Sequence, residues 1–332
     1  MLEWIGGIRH HHLFGKRTML RITGVLAGLS LAVFGNSAAF AETINVPDDQ
    51  PTIAAAISAS VNGDVIAIAA GRYYEFNLNT DGKAITIQGT VNGGGGLGTT
   101  IDAQQGQRVF GIASGEGPDT VIKDLIFTAG GNIDAEEGGI IIVDSSPTIS
   151  GCWIKGNTAI YGGGIYCKSS NPTISDCRIE GNTANYGGGI YCNNSNPTIS
   201  GCTITGNTAN GYGGGLLFDN SNPTITDSLI CGNEPDQIDG DWSDNGGNCI
   251  TDSCEDTDDN GVPDGCEACV GDVNGDGQVN GFDLGLLLAA WTGSNDCDSE
   301  SCLAADFNGD GRVDGFDMGL FLSAWGNDCT GG

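Results

Sequence analysis

An all-β solenoid of parallel strands is the fold this sequence predicts, and three observations predict it. First, Pro147, Pro172, Pro197 and Pro223 follow one another at steps of 25, 25 and 26 residues. A fixed period of that size marks stacked repeats. Second, each repeat holds short β-type runs split by Gly and Asn turns, with no ten-residue helical pattern. Third, aligning the repeats produces columns of like residues. Ile149, Ile174, Ile199 and Ile225 form one column, and Ile154, Ile179, Ile204 and Ile230 form another. Cys152, Cys177, Cys202 and Ser228 form a third, and Cys167, Cys192 and Phe218 a fourth. Equivalent residues on paired strands lie roughly 4.8 Å apart, so inward columns of this kind make a continuous dry core. Asn157, Asn182, Asn207 and Asn233 are placed to stack their amides as a ladder. The five cysteines of these columns read as buried free thiols packing as small hydrophobes. The expected fold is a parallel β-helix over residues 42–233.

Taken in order, the chain begins with a targeting pattern. Arg21 precedes an apolar run from Ile22 to Phe34, and Ala39-Phe40-Ala41 supplies a small-x-small cleavage site. Residues 1–41 are therefore expected to be a secretory signal, with a secreted or cell-surface mature chain and no membrane span. Met19 is an alternative start. Pro51 begins an expected short helix with Ile53, Ile57 and Val61 on one face, capping the open end of the solenoid. Strands are expected at Val65–Ala69, Ile85–Ile87, Ile101, Phe110–Ile112, Val121-Ile122, Leu125-Ile126 and Ile140–Val143. Gly93–Gly96 and Glu116–Asp119 are the expected protruding loops. VPDDQPTI, GDVIAIAAGRYYE and GKAITIQG resemble the start of right-handed β-helix proteins of the pectate-lyase and pectin-esterase type. With the later coils the resemblance covers about residues 43–233, and it implies a fold rather than an activity.

The repeat pattern stops after Asn233, and Trp242 is expected as a lid over the last coil. Residues 234–268 read as an acidic, cysteine-bearing linker. From Glu234 onward the chain carries 23 acidic residues against one basic residue, Arg312. The whole chain has a formal net charge of −30, which argues against nucleic acid and anionic membranes as partners. A block this acidic is either unfolded or loaded with cations.

Residues 269–332 carry the strongest chemical motif. Asp272, Asn274, Asp276, Gln278, Asn280 and Asp283 occupy positions 1, 3, 5, 7, 9 and 12 of a twelve-residue calcium loop. Gly277 makes the sharp bend and Val279 anchors the loop to a small core. The loop recurs 34 residues later as Asp306, Asn308, Asp310, Arg312, Asp314 and Asp317, with Val313 as anchor. Position 7 contributes its backbone carbonyl, so Gln278 and Arg312 serve by position. Each loop runs into an apolar segment, LGLLLAAW or MGLFLSAW, expected to be helical. Leu286, Leu287, Trp291, Leu320, Phe321 and Trp325 are expected to form one cluster. The paired copies resemble a type I dockerin, a family that also has Asp at loop position 12. That resemblance implies calcium as cofactor and a cohesin-like partner. Cellulosomal dockerins commonly present a hydroxyl pair at loop positions 10 and 11; here those positions are Gly281-Phe282 and Gly315-Phe316. Asp256, Asp258, Asn260 and Asp264 further resemble one thrombospondin type-3 calcium repeat, against the reading of a plain acidic linker.

The tail cysteines read as disulfides rather than zinc ligands, because no histidine lies among them. Cys269–Cys329 and Cys297–Cys302 are reasonable pairings, although spacing alone does not fix connectivity.

On the solenoid wall, β-helix lyases and hydrolases would require carboxylates with a basic residue. Arg178, Glu180 and Asp144 are the candidates for proton abstraction from a uronic acid. Lys155 aligns with Glu180 on the next coil and Trp153 with Arg178, and a cross-coil ion pair on a solvated face is the plainer reading. Tyr161, Tyr186 and Tyr212 align before each Gly triplet, and Tyr166 and Tyr191 align just after it. They are expected to form an outward aromatic strip that either packs against sugar rings or stiffens the coil. The leading function is extracellular polysaccharide recognition or processing, tethered through the C-terminal module. The alternative is a non-catalytic surface or matrix protein using that module for attachment.

Overall fold

The computed structural model describes residues 41–132, 138–256, 263, 273, 279–291, 305–307, 311–323 and 325. Residues 1–40, which hold the expected signal, lie outside them. Among the described residues no helix is long and apolar enough to cross a membrane.

The coils stack as parallel strands in nine-, eight- and seven-stranded sheets, with a three-stranded sheet alongside. Each turn of the chain visits the sheets in the same order, so every strand pairs with its equivalent one coil away. The register is the one the columns require. Thr148–Ser150 pairs with Thr173–Ser175 so that Ile149 faces Ile174, and Ile174 then faces Ile199 and Ile199 faces Ile225. Ile154, Ile179, Ile204 and Ile230 are likewise in line, as are Cys167, Cys192 and Phe218. All of these side chains are buried in one continuous core.

The five coil cysteines are free and buried. A hydrogen bond with Cys152, and burial, push the Cys177 thiol well up; burial and Cys167 do the same to Cys192. They are packing groups, not nucleophiles. The asparagine ladder forms: Asn157 donates to Asn182 at 3.0 Å, Asn182 to Asn207 at 3.0 Å and Asn207 to Asn233 at 2.9 Å. Gln237 ends it by accepting from the Asn233 amide at 2.8 Å. Each amide also satisfies buried backbone at a turn, which is why an apolar residue cannot replace it. The Gly triplets are equally constrained, since a Cβ on Gly163 would lie 2.6 Å from the carbonyl oxygens of Gly188 and Thr183.

Both ends of the stack are covered. The helix Ile53–Ala59 buries Ile53 and Ile57, and the Glu75 carboxylate accepts the Ile53 and Ala54 N–H groups at 2.8 and 2.9 Å. Val61 does not share that face: the helix stops at Ala59 and Val61 is exposed. Trp242 and Ile238 pack against the far end of the core, as the lid reading expected.

Two further expectations need correction. The pattern does not stop at Asn233, because Ile238-Asp239, Ser243-Asp244 and Cys249–Thr251 each add a strand to one of the three sheets. This last coil is shorter, so the proline period misses it. A disulfide from Cys231 to Cys254 fastens it to the preceding coil. Cys249 is also disulfide-bonded, and the expected pairs 269–329 and 297–302 lie outside the described residues. Second, Gly93–Gly96 does form an exposed turn, but Glu116 does not protrude. It is 4% exposed.

The reason is a convergence of donors from three coils. The Glu116 carboxylate accepts from the Thr80 hydroxyl at 2.5 Å, Gly82 N–H at 3.0 Å, Ser114 N–H at 2.7 Å and the Ser145 hydroxyl at 3.0 Å. Burial pushes its pKa up, but these hydrogen bonds outweigh burial and hold it below the ordinary glutamate range. A depressed folded-state pKa stabilises the fold above the unfolded value and stops doing so as pH falls through the folded value. Glu116→Gln is therefore expected to lower the melting temperature at neutral pH, by about 1–3 kcal/mol of stability, and to flatten its acid dependence. Thermal melts of both chains between neutral and acidic pH check this; parallel curves at a constant offset would contradict it.

Candidate functional site

The wall candidates sit on the outer face of the eight-stranded sheet. Lys155 faces Glu180 and Trp153 faces Arg178 across adjacent coils. Arg178 Nε lies 2.9 Å from Glu180 Oε2, and the Trp153 indole N–H donates to the same oxygen at 3.0 Å. Lys155 Nζ sits 3.3 Å from the centre of the Trp153 ring and Arg178 Cζ 4.8 Å from it. The group is a cation–π and ion-pair cluster in which Arg178 and Trp153 engage Glu180, while Lys155, although in register with Glu180, contacts only the Trp153 ring. Asp144 is not part of it. It occupies the exposed turn after Ile140–Val143, a strand of the seven-stranded sheet, with φ of +48°.

The tyrosines come together on that seven-stranded sheet and its neighbour. Tyr166 and Tyr191 are stacked, 5.2 Å between centroids at 11°, and Tyr161 and Tyr186 are stacked at 5.8 Å and 19°. Tyr161 also meets Tyr166 and Tyr191, at 5.9 and 5.7 Å. Tyr212 makes none of these ring contacts. Gly211 is absorbed as a bulge between Ala184 and Tyr186, so Tyr212 remains the register partner of Tyr186, but its side chain is 61% exposed.

The strip is not flat. Near-parallel rings only 5.2 Å apart cannot lie side by side in one plane, so their faces overlap, offset, along the solenoid axis. Tyr191 is 8% exposed. Ring faces become available where the stack ends, at the coil carrying Ile141 in register with Tyr166. There a groove of about 450 Å³ opens, lined by Ile141, Val143, Tyr161, Tyr166, Lys168 and Asn193. Asn193 is fixed by donating to Asp219 at 2.9 Å. Burial and the Asp219 carboxylate push the Tyr191 phenol up, so it remains a protonated donor. Lys168 and Asn193 follow Tyr166 and Tyr191 by two residues, and period-two counting along those strands would have placed them in the site.

In the C-terminal module two helices, Gly281–Ala289 and Gly315–Ser323, follow the loops. Asp283 and Asp317 are 0% exposed. Asp283 accepts the Val273 and Asn280 N–H groups at 3.0 and 2.9 Å; Asp317 accepts those of Phe307 and Asp314, both at 2.8 Å. Asn280 and Asp314 cap their helices, each accepting at 2.8 Å from the N–H two residues on. The Asp306 carboxylate accepts the Gly311 N–H at 2.7 Å, and Gly311 has φ of +83°. Val279 and Val313 are buried with Leu287, Ala305 and Phe321. Leu286, Leu320, Trp291 and Trp325 are exposed, contrary to the expected cluster, although Trp325 meets Phe321 edge-on at 5.4 Å. Each buried Asp fixes the inward face of its helix, and the residue four positions on shares that face. Asp272, Asn274, Asp276, Gln278, Asn308, Asp310, Asp258, Asn260 and Asp264 lie outside the described residues, whereas Asp256 and Arg312 lie within them. Buried carboxylates in a segment with one basic residue fit a hard divalent cation with oxygen ligands.

The right handed beta helix region family matches residues 78–277. The chain belongs to that family. Residues 270–321 match the dockerin type I domain, and such domains bind calcium and cohesins. No curated relative matches the chain. Among solved structures, a pectin methylesterase from Aspergillus niger is 17% identical with a TM-score of 0.44, over 66% of this chain and 87% of that one. Pectin methylesterase PemA from Erwinia chrysanthemi is 15% identical with a TM-score of 0.40, over 57% and 65%. Likeness at this level carries no argument about activity. The β-helix and dockerin domains together fit a polysaccharide-associated protein tethered through its dockerin.

Proposed function

We propose that this β-helix protein recognises extracellular polysaccharide at the tyrosine groove and is held at its place of action by the dockerin module. The observation that carries the reading is the groove where the stack of Tyr161, Tyr166, Tyr186 and Tyr191 ends, with Lys168 at its edge. An apolar sugar face seats on an aromatic face, while Lys168 and Asn193 offer polar contacts to ring hydroxyls. Calcium would be held by Asp272, Asn274, Asp276, Gln278, Asn280 and Asp283 in one loop and by Asp306, Asn308, Asp310, Arg312, Asp314 and Asp317 in the other. Asn280 and Asp314 cap helices with a side-chain oxygen, so their contribution to the ion would pass through water. Recognition is better supported than processing. Glu180 is engaged by Arg178 and Trp153, and Asp144 stands on another sheet.

Affinity electrophoresis of the purified chain in gels containing acidic or neutral polysaccharides tests the reading. At least one polysaccharide is expected to retard it, and Tyr166→Ala is expected to weaken that binding about tenfold or more. Retardation unchanged in Tyr166→Ala, with the fold intact by circular dichroism, would remove the groove from the site.

A further inference from the structure

A second groove opens toward the C-terminal end of the solenoid, and neither the sequence motifs nor the family assigns it. It encloses about 690 Å³ among Asn196, Phe218, Asn220, Ser221, Asn222 and Asp241. Its floor depends on a close backbone approach. Gly240 has φ of +106°, and a Cβ there would lie 2.3 Å from the Phe218 carbonyl oxygen, so only glycine lets the chain cross at this height. The crossing sets Asp241 at the rim.

The polar groups are oriented from within. The Asn222 N–H donates to Asn196 Oδ1 at 2.6 Å, and the Ser243 hydroxyl donates to Asn222 Oδ1 at 3.3 Å. Neither amide nitrogen has a hydrogen-bond partner among the described residues, and both side chains are exposed, so both remain free to donate to a ligand. Asp241 is exposed and has no hydrogen bond or ion pair among the described residues. Two amide donors and one carboxylate acceptor at the groove suit a ring bearing adjacent hydroxyls. The carboxylate accepts from two O–H groups, and the amides donate to hydroxyl oxygens. The same carboxylate, in a chain of net charge −30, disfavours an anionic sugar.

This groove adjoins the tyrosine groove. Lys168, Asn193 and Asp219 are register neighbours on three successive coils, Asn193 donates to Asp219, and Asn220 follows Asp219 directly. From the strand Ile140–Val143 to Ile238-Asp239 is four strand spacings in the seven-stranded sheet, roughly 19 Å. We propose that the second groove is a subsite for a neutral, hydroxyl-rich sugar. With the tyrosine groove it forms one path along the solenoid for a single neutral glycan chain. The inference rests on the tyrosine groove being a polysaccharide site.

The test is isothermal titration of the full chain with cellulose- and mannan-derived oligosaccharides, from disaccharide to hexasaccharide, and with polygalacturonate. Wild-type affinity for at least one neutral series should rise with length as the second groove fills. Asp241→Asn, and the pair Asn196→Ala with Asn222→Ala, should lose that rise, by roughly tenfold for the longest chain. Tyr166→Ala should weaken every length. If Tyr166→Ala loses binding while both groove variants keep the full length dependence, the second subsite is overturned and the tyrosine reading stands. If no oligosaccharide or polysaccharide binds, both fall. Preference for polygalacturonate overturns the neutral assignment. Loss of the Asp241-dependent rise in chelator assigns the groove to a cation and overturns it as well. Circular dichroism of each variant separates lost contacts from lost fold.

Discussion

Replacing Ile179 by Asp is expected to prevent the solenoid from folding. Ile179 is fully buried and stands in register between Ile154 and Ile204. Loss of its side chain alone costs about 2–5 kcal/mol, as for other large aliphatic truncations in a core. The carboxylate then adds several kcal/mol, because no cation or hydrogen-bond donor is available in a column of isoleucines. The sum is comparable to the whole stability of a typical domain, about 5–15 kcal/mol. Ile179→Val is the control and should cost only about 1 kcal/mol. Far-ultraviolet circular dichroism and a thermal melt of both variants decide the matter. An Ile179→Asp chain melting like the wild type would mean that residue 179 does not face inward. The same experiment at Glu180, which the register places outward, should leave the fold nearly unchanged.

That register was legible because a solenoid repeats its own answer. One coil leaves the inward face ambiguous, but four aligned coils show which positions hold Ile or Cys every time. The asparagine ladder was legible for the same reason. What broke the period was hidden. The last coil is shortened to the segments around Ile238, Ser243 and Cys249, so no proline or isoleucine column announced it. Glu116 reads in the sequence as part of an exposed acidic loop. Only the fold shows Thr80, Gly82, Ser114 and Ser145 converging on it from positions up to 36 residues away. The site was half legible. Column counting gave the tyrosines, but whether aligned aromatics lie flat or stack face on face depends on rotamers, which alignment does not reveal. The open end at Ile141 and Val143, which makes the groove, follows from that stacking. Tyr212 shows the opposite limit: it is the register partner of Tyr186, where counting placed it, yet its ring makes none of the stacking contacts.

Chelating calcium from the full chain is expected to unfold the dockerin module while leaving the solenoid intact. Among the described residues the module's core is Val279, Leu287, Ala305, Val313 and Phe321, with a few half-buried neighbours, too small a set to rely on hydrophobic burial alone. Asp283 and Asp317 are buried, and each loop sequence carries further carboxylates within a few residues. Without a divalent cation these charges repel one another at short range, and binding energy then serves as folding energy. The helices should lose order first, since Asp283 and Asp317 tie their starts to the loop backbones through Val273 and Phe307. Trp291 and Trp325 lie in or beside this module and report on it by fluorescence; Trp153 and Trp242, in the solenoid, should not respond. Calorimetric titration of chelated protein should show two binding events, with Asp283→Ala and Asp317→Ala each removing one. A fluorescence spectrum identical in calcium and in excess chelator, with no heat of binding, would show that the loops do not take the ion. A solenoid melting transition that moves with calcium would show instead that the wall carboxylates hold a further one.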